Sequence, residues 1–326
     1  MGAVKPLIPG LAFSALIALA VSFVSERLGG PAMLYALLFG MAFHFLGDDE
    51  RMLPGIRFAG RTVLRVGVAL LALRMTTGDV MTLGWPVVTL VVCGVIATIA
   101  VGWCIARVCR LSSDHAILSA GAVAICGASA ALAIASILPN HADKERNTIL
   151  TVAAVTALST VAMVLYPVLV SYLGFNDLTA GVFLGATIHD VAQVVGAGYI
   201  VSEQAGEVST LVKLMRVACL VPVVLFIALL MKRKGRASGR KEPLLPWFLV
   251  AFVVLVVVNS LGWVPAPVTN ALTPVSAWCL LTAVAALGVR TSLEALVKVG
   301  PWPVTAMVLQ TLFLALFVLA GLSLIN

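Results

Sequence analysis

At 326 residues, 61% hydrophobic and only 11% charged, with a mean hydropathy of +1.11, this chain is excluded from the ordinary soluble globular proteins. A net charge of +7 would suit a nucleic-acid binder. The positive residues are distributed as a membrane-topology signal instead, so no nucleic-acid role is needed.

A membrane-spanning helix takes about 20 mainly apolar residues. Such stretches follow one another along almost the whole sequence, at 7–25, 31–47, 55–74, 85–106, 115–138, 147–173, 178–202, 209–231, 244–262, 268–289 and 301–323. The expected fold is therefore an all-α polytopic membrane protein of about eleven transmembrane helices, forming one domain over residues 1–326. The first stretch admits a second reading as a signal peptide, since Ala18-Leu19-Ala20 resembles a cleavage site, but Lys5 alone makes a weak basic region.

Orientation follows from the loop after the eighth stretch, which carries Lys232, Arg233, Lys234, Arg236, Arg240 and Lys241. The positive-inside rule puts that loop in the cytoplasm, the N-terminus inside and the C-terminus outside. With that choice, 14 of the 21 Lys and Arg fall on cytoplasmic sites and only Arg27, Arg74, Lys144 and Arg146 on external loops. The bilayer is thus one expected partner.

In chain order, the third stretch carries Arg57, Arg61 and Arg65 at its cytoplasmic end. They read either as lipid-facing residues that snorkel to the interface or as a basic funnel for anions. Arg74-Met75-Thr76-Thr77 leads through ten residues to Gly84-Trp85-Pro86-Val87, and Arg290-Thr291-Ser292-Leu293 leads to Gly300-Pro301-Trp302-Pro303-Val304. Arg74 ends the third stretch outside and Arg290 ends the tenth inside, so the two copies would run in opposite directions. Inverted repeats of this kind are common in secondary transporters, whose sites lie near the midplane on interrupted helices. Each Arg also serves as an ordinary helix C-terminal cation.

The fifth stretch contains Gly121-Ala122-Val123-Ala124-Ile125-Cys126-Gly127-Ala128-Ser129-Ala130-Ala131, with almost no bulky side chain. It reads as a tightly packed continuous helix or as one that unwinds at Cys126-Gly127-Ala128 and restarts with Ser129 as its N-cap. In the second case the freed amides would face an anion.

The seventh stretch contains Thr187, His189, Asp190 and Gln193. A carboxylate deep in an apolar span costs roughly 2.5–3.5 kcal/mol even on the lenient insertion scale, and by default marks a functional site. If the helix is continuous, Gly185, His189, Gln193 and Gly196 form one stripe and Asp190 shares a face with Thr187 and Gln193. Neighbouring residues on a helix diverge by about 100°, so His189 and Asp190 cannot pair with each other. Candidate partners are Ser129, or Lys213 and Arg216, which this reading places near the external end of the eighth stretch. A structural salt bridge for Asp190 and a packing role for His189 are the plain alternatives.

Cys93, Cys104, Cys109, Cys126, Cys219 and Cys279 form no CxxC pair, so neither a metal site nor a disulfide frame is expected. No HExxH, GxSxG, P-loop or dinucleotide fingerprint occurs. The chain is expected not to be an enzyme and to need no cofactor beyond a coupling ion, H+ or Na+. A channel, or an intramembrane enzyme built on Cys126 and His189, is the remote alternative.

The motifs Ala124-Ile125-Cys126-Gly127-Ala128-Ser129-Ala130, Met163-Val164-Leu165-Tyr166-Pro167, Gly185-Ala186-Thr187-Ile188-His189-Asp190-Val191-Ala192-Gln193 and Ala286-Leu287-Gly288-Val289-Arg290-Thr291-Ser292-Leu293 occur in that order. Together they resemble the bacterial inner-membrane family labelled as sulfate exporters. Members of that family often have Glu where this chain has Asp190, and Ser where it has Thr187. The family is grouped with the sodium/proton antiporter and bile-acid symporter superfamily. The resemblance implies inverted repeats, a panel and a core domain, and two crossed, broken helices. The partner of the fifth stretch is left open between the seventh and the tenth, the latter with Asn270, Thr273, Pro274 and Ser276.

The expected function is alternating-access transport of a small anion, sulfate or a related inorganic or organic anion, coupled to H+ or Na+, with a sodium/proton antiporter as the alternative. Cys126, Gly127, Ala128, Ser129, Thr187, His189 and Gln193 are the candidate substrate-binding residues. Asp190 and His189 are the candidate coupling residues, and Arg74, Lys213, Arg216 and Arg290 the candidate anion-attracting ones. A homodimer is a further possibility.

Overall fold

The computed structural model describes residues 5–28, 31–76, 78, 81, 83–139, 143–233, 247–290 and 301–325. Helix α1 (Ile8–Leu28) is followed by α2 (Ala32–Ala42) and a 3-10 turn, His44–Asp48. Helix α3 (Leu53–Phe58) passes through a π-helical turn, Ala59–Val63, into α4 (Leu64–Leu71) and a 3-10 turn, Ala72–Arg74. Then come α5 (Gly84–Val108), α6 (Ser113–Ala124), α7 (Ala128–Ile137) and α8 (Lys144–Tyr172). Next are α9 (Asp177–Thr187), α10 (Val191–Val201), α11 (Glu203–Ala218) and α12 (Leu220–Arg233). The chain ends with α13 (Trp247–Ser260), α14 (Ala266–Arg290) and α15 (Pro301–Ile325).

The described residues contain no strand. Six of their helical stretches are long and apolar enough to cross a membrane: Ile8–Leu28, Gly84–Val108, Lys144–Tyr172, Glu203–Lys232, Ala266–Arg290 and Pro301–Ile325. The helices overlie the eleven apolar stretches in position, with α6 and α7 sharing the fifth and α9 and α10 the seventh. Of the two repeat copies, Thr77 and Thr291 through Gly300 lie outside the described residues.

Packing divides the helices into two bundles. One is built around α14, against which α1, α2, α3 and α4 lie, with α13 on α4. The other contains α5 to α12 and α15, with α11 wedged against both α9 and α10. The main seam between them is formed by α10 lying against α2 and α14.

The α11 wedge depends on missing side chains. A Cβ added at Gly185 would fall 2.4 Å from the Ser209 carbonyl oxygen, and one at Gly198 would fall 2.7 Å from the Gly206 Cα. Without a hydrophobic drive between helices in lipid, such close backbone approach is the main source of association. Gly185→Ala should therefore lower the melting temperature of the purified protein by several degrees, in line with about 1–3 kcal/mol for overpacking. Gly60→Ala, whose added Cβ meets only the Leu287 side chain at 3.6 Å or more and Ala286 at 3.9 Å, should change it little. Thermal unfolding in detergent reads both.

Candidate functional site

Two helices are interrupted, and the interruptions touch. α6 ends at Ala124, and Gly127 turns the chain with φ +66° before α7 begins at Ala128. That left-handed conformation favours glycine. A Cβ at Gly127 would lie 3.6 Å from the Cβ of His189, which stands in the second interruption. There α9 ends at Thr187 and α10 starts at Val191.

The first interruption falls where the small-residue run allowed it, but its N-cap is Gly127, with no side-chain bond, rather than Ser129. Ser129 lies exposed as the second residue of α7, Ala128 is half-buried and Cys126 is buried. The second interruption breaks the stripe expected of a continuous seventh helix. Asp190 is the N-cap of α10, its Oδ1 accepting from the Ala192 amide at 2.9 Å. The tenth stretch, the other candidate for a broken partner, is a single helix with Pro274 inside it.

Breaking two helices inside a bundle frees backbone carbonyls that have no water to meet, each costing several kcal/mol if left unpaired. Two cations of α11 take them up. Lys213 Nζ donates to the carbonyls of Ile125 at 2.8 Å and Ile188 at 2.9 Å. Arg216 donates to the carbonyls of Val123 and Ala124 at the end of α6 and of Ala186 and Ile188 at the end of α9, at 2.8–3.1 Å. Both side chains are fully buried. The carbonyl ends of the two half-helices, each bearing roughly half a negative charge, thus converge on one pair of positive groups.

This differs from the sequence reading, which set Lys213 and Arg216 near the external end of a helix starting at 209. Helix α11 starts six residues earlier, at Glu203, and carries both cations inward. Neither forms a salt bridge with Asp190 among the described residues. The charges of Lys213, Arg290 and Arg65 nevertheless act on Asp190, which is half-buried.

The remaining polar groups around the interruptions come largely from α8. Ser159 Oγ accepts from the Asp190 amide at 2.9 Å, and Gln193 Nε2 donates to Thr160 Oγ1 at 2.7 Å. His189 Nε2 lies 2.9 Å from Thr311 Oγ1 of α15. Thr187 turns away from the interruption and donates to the Phe183 carbonyl of its own helix at 2.6 Å. His189 Nδ1 and Gln193 Oε1 are buried without a hydrogen-bond partner among the described residues. Sequence reasoning missed Ser159, Thr160 and Thr311. The signal was present as Thr156, Ser159 and Thr160 at i, i+3 and i+4 on an apolar helix, the spacing of one face.

The arginines separate into two groups. Arg290, at the C-terminus of α14, is exposed and feels Arg57, Arg61 and Asp190. Arg65 is half-buried with its guanidinium 5.5 Å from the centre of the Phe248 ring, a cation–π contact, and feels Arg61 and Asp190. Arg65 and Arg290 therefore lie within electrostatic reach of Asp190, and Arg57 and Arg61 within reach of those two arginines. Arg74 is elsewhere, paired with Glu203 and Glu207. No group of His, Cys, Asp and Glu able to hold a metal ion occurs among the described residues.

An all-helical protein with several membrane-length apolar helices and two touching helix interruptions at its centre is an integral membrane protein of the multi-pass class. The chain belongs to the family described as Conserved hypothetical protein 698, whose profile matches residues 9–307. It is 50% identical to a UPF0324 membrane protein of Chlorobaculum tepidum, over 96% of this chain and 88% of that one. It is 48% identical to the UPF0324 membrane protein TauZ of Paracoccus denitrificans, over 100% of this chain and 97% of the relative. A UPF0324 membrane protein of Rhizobium meliloti is 47% identical over 96% and 92%. No solved structure matches.

The carbonyl caps make a direct prediction about stability. Replacing Arg216 by Met strands the carbonyls of Val123, Ala124 and Ala186 at once, each worth about 1–3 kcal/mol, whereas Lys213→Met strands that of Ile125 alone, since Ile188 keeps its bond from Arg216. Thermal unfolding in detergent should rank wild type above Lys213→Met and Lys213→Met above Arg216→Met. Arg216→Lys should fall short of wild type, because an ammonium lacks the planar fork that spans both helix ends.

Proposed function

We propose that this protein is a secondary active transporter of a small anion, working by alternating access in the bacterial inner membrane. The observation that carries the reading is the meeting of two helix interruptions whose carbonyl ends are neutralised by Lys213 and Arg216. With both cations charged, they exceed the two half-charges of the carbonyl ends by about one, and the full negative charge of Asp190 offsets the two amide ends of α7 and α10. The centre is left with a surplus of roughly one positive charge, on the usual half-charge per helix end. A small anion fits that surplus, and interrupted helices at a bundle centre are the usual setting for such a site.

In this reading the chain crosses the membrane eleven times, with each interrupted pair, α6–α7 and α9–α10, making one crossing. The N-terminus is cytoplasmic and the C-terminus periplasmic. The α14-centred bundle acts as the panel and the bundle of interrupted helices as the core, as in the sodium/proton antiporter and bile-acid symporter superfamily, with inverted repeats anchored at Arg74 and Arg290. The substrate is sulfate or a related anion, held near Gly127, Ser129, His189 and Gln193. Arg57, Arg61, Arg65 and Arg290 form the basic approach from the cytoplasm, concentrating anions by their field. Asp190 takes up the coupling H+ or Na+. Among the described residues it is the carboxylate on which the charges of Arg65, Arg290 and Lys213 converge.

Asp190→Asn offers an unusually clean test, because Asn caps a helix as well as Asp does and the Ala192 bond can be kept while the charge is lost. In proteoliposomes loaded with candidate anions, wild type should take up labelled sulfate or a related anion when a pH or sodium gradient is imposed. Asp190→Asn should lose at least tenfold of the gradient-driven component at an unchanged melting temperature. Coupled uptake that is undiminished in Asp190→Asn would remove the role given to this carboxylate. Ion flux that needs no anion would favour the antiporter instead. A thermal-shift screen of small anions on purified protein narrows the substrate, since a ligand of the folded state raises its stability.

A further inference from the structure

The two bundles are tied together at one end of their seam. Arg74 closes the 3-10 turn after α4, and α13 fixes that turn: Asn259 Nδ2 donates to the carbonyls of Leu73 at 3.1 Å and Met75 at 3.0 Å. Facing it, α11 begins at Glu203 under an N-cap from Ser202, whose hydroxyl accepts from the Ala205 amide at 3.0 Å. Arg74 Nε donates to Glu207 Oε1 at 2.9 Å, and a second guanidinium nitrogen reaches Glu203. Both of these ion pairs join one bundle to the other.

Arg74 and Glu203 themselves border a partly open cavity of about 260 Å³ whose walls come from both bundles. Met33, Leu71, Ser276 and Leu280 stand on one side, Tyr199 and Glu203 on the other. A cavity with walls on two bodies changes volume when the bodies move. Ion pairs this close to the surface hold weakly, and the Glu203 side chain is 67% exposed. The contact is thus strong enough to bias an arrangement and weak enough to open.

We propose that Arg74, Glu203 and Glu207 form a latch that closes one end of the seam between the bundles. That cavity is then the vestibule in which a small anion meets Arg74 in place of the two carboxylates. This rests on the transport reading above and adds its gate on the side opposite the Arg57–Arg61–Arg65–Arg290 approach. Opening the latch widens the mouth of the cavity and deepens its contact with water, and closing it hands Arg74 back to Glu203 and Glu207.

The test reads accessibility and needs no substrate. Ser276 is buried on the cavity wall, so Ser276→Cys is introduced after the six native cysteines are replaced, and the protein is reacted in membranes with an impermeant maleimide. Arg74→Gln, and separately the Glu203→Gln, Glu207→Gln pair, should speed labelling at least tenfold. Arg74→Glu combined with Glu203→Arg and Glu207→Arg should bring it back toward the unmodified rate. Ala283→Cys, buried two turns further along α14, should stay slow throughout. Labelling at Ser276→Cys that ignores the latch variants, a charge swap that restores nothing, or a parallel rise at Ala283→Cys from loosened packing would each overturn the proposal. Anion flux is scored separately, so a protein with latch-dependent labelling but no flux speaks against transport and not against the latch.

Discussion

Everything at the centre of this protein depends on one constraint: a helix broken inside a bundle must find partners for the carbonyls it frees. Lys213 and Arg216 meet that constraint for two helices at once. They reach both ends because α11 runs in the angle between α9 and α10, and it sits that deep because Gly185 and Gly198 present bare backbone to it. The chain of cause runs from absent side chains to helix spacing, from spacing to the reach of two long cations, and from those cations to two stable interruptions. Each link is unfavourable alone. Two buried cations would be costly without the carbonyls, and the carbonyls would be costly without the cations.

The distribution of polar groups follows from the same constraint. The carbonyl side of the interruptions is fully occupied by two cations. The amide side is served by one charged cap, Asp190, and by hydroxyls of α8, with Gly127 contributing no side chain. The amide end of α7 thus has no side-chain cap, and His189 Nδ1 and Gln193 Oε1 are buried without a hydrogen-bond partner among the described residues. An asymmetric centre of this sort discriminates by charge sign without any single dedicated anion ligand. That is why transport of an anion is the reading we prefer over exchange of cations alone.

How much of this was legible in the sequence differs from element to element. The positions of the helices were legible, because apolar runs of membrane length leave little room for another structure. The first interruption was half legible, since Cys126-Gly127-Ala128-Ser129 has the small residues that a break needs, and only the capping residue was misplaced. The second was not. Thr187-Ile188-His189-Asp190 has neither Gly nor Pro, and apolar residues continue on both sides, so the pattern matches an unbroken helix. The one local sign was Asp190 itself, a good N-cap residue standing just ahead of an apolar run. The depth of Lys213 and Arg216 was misjudged because Glu203 and Glu207 look like loop residues. Their charges are accommodated at the helix start by the favourable end of the dipole and by Arg74, a partner 129 residues away in sequence. Partners at that separation leave no trace in a single sequence.

In the transport reading proposed above, Asp190 links two binding events. It is a cap for α10 and also a carboxylate on which the charges of Lys213, Arg290 and Arg65 act. An H+ or Na+ taken up there cancels that negative charge and raises the attraction of the centre for an anion. By thermodynamic reciprocity, a bound anion raises the affinity of Asp190 for the cation by the same factor. Coupling then needs no second carboxylate and no direct contact between the two ligands, only their sharing of one small electrostatic balance. The neutral hydrogen bond to Ala192 can persist through the cycle, so the half-helix stays capped while its charge changes. A paired carboxylate site would bind cations more tightly, but it would also erase the positive surplus that the two interrupted helices and their buried cations create.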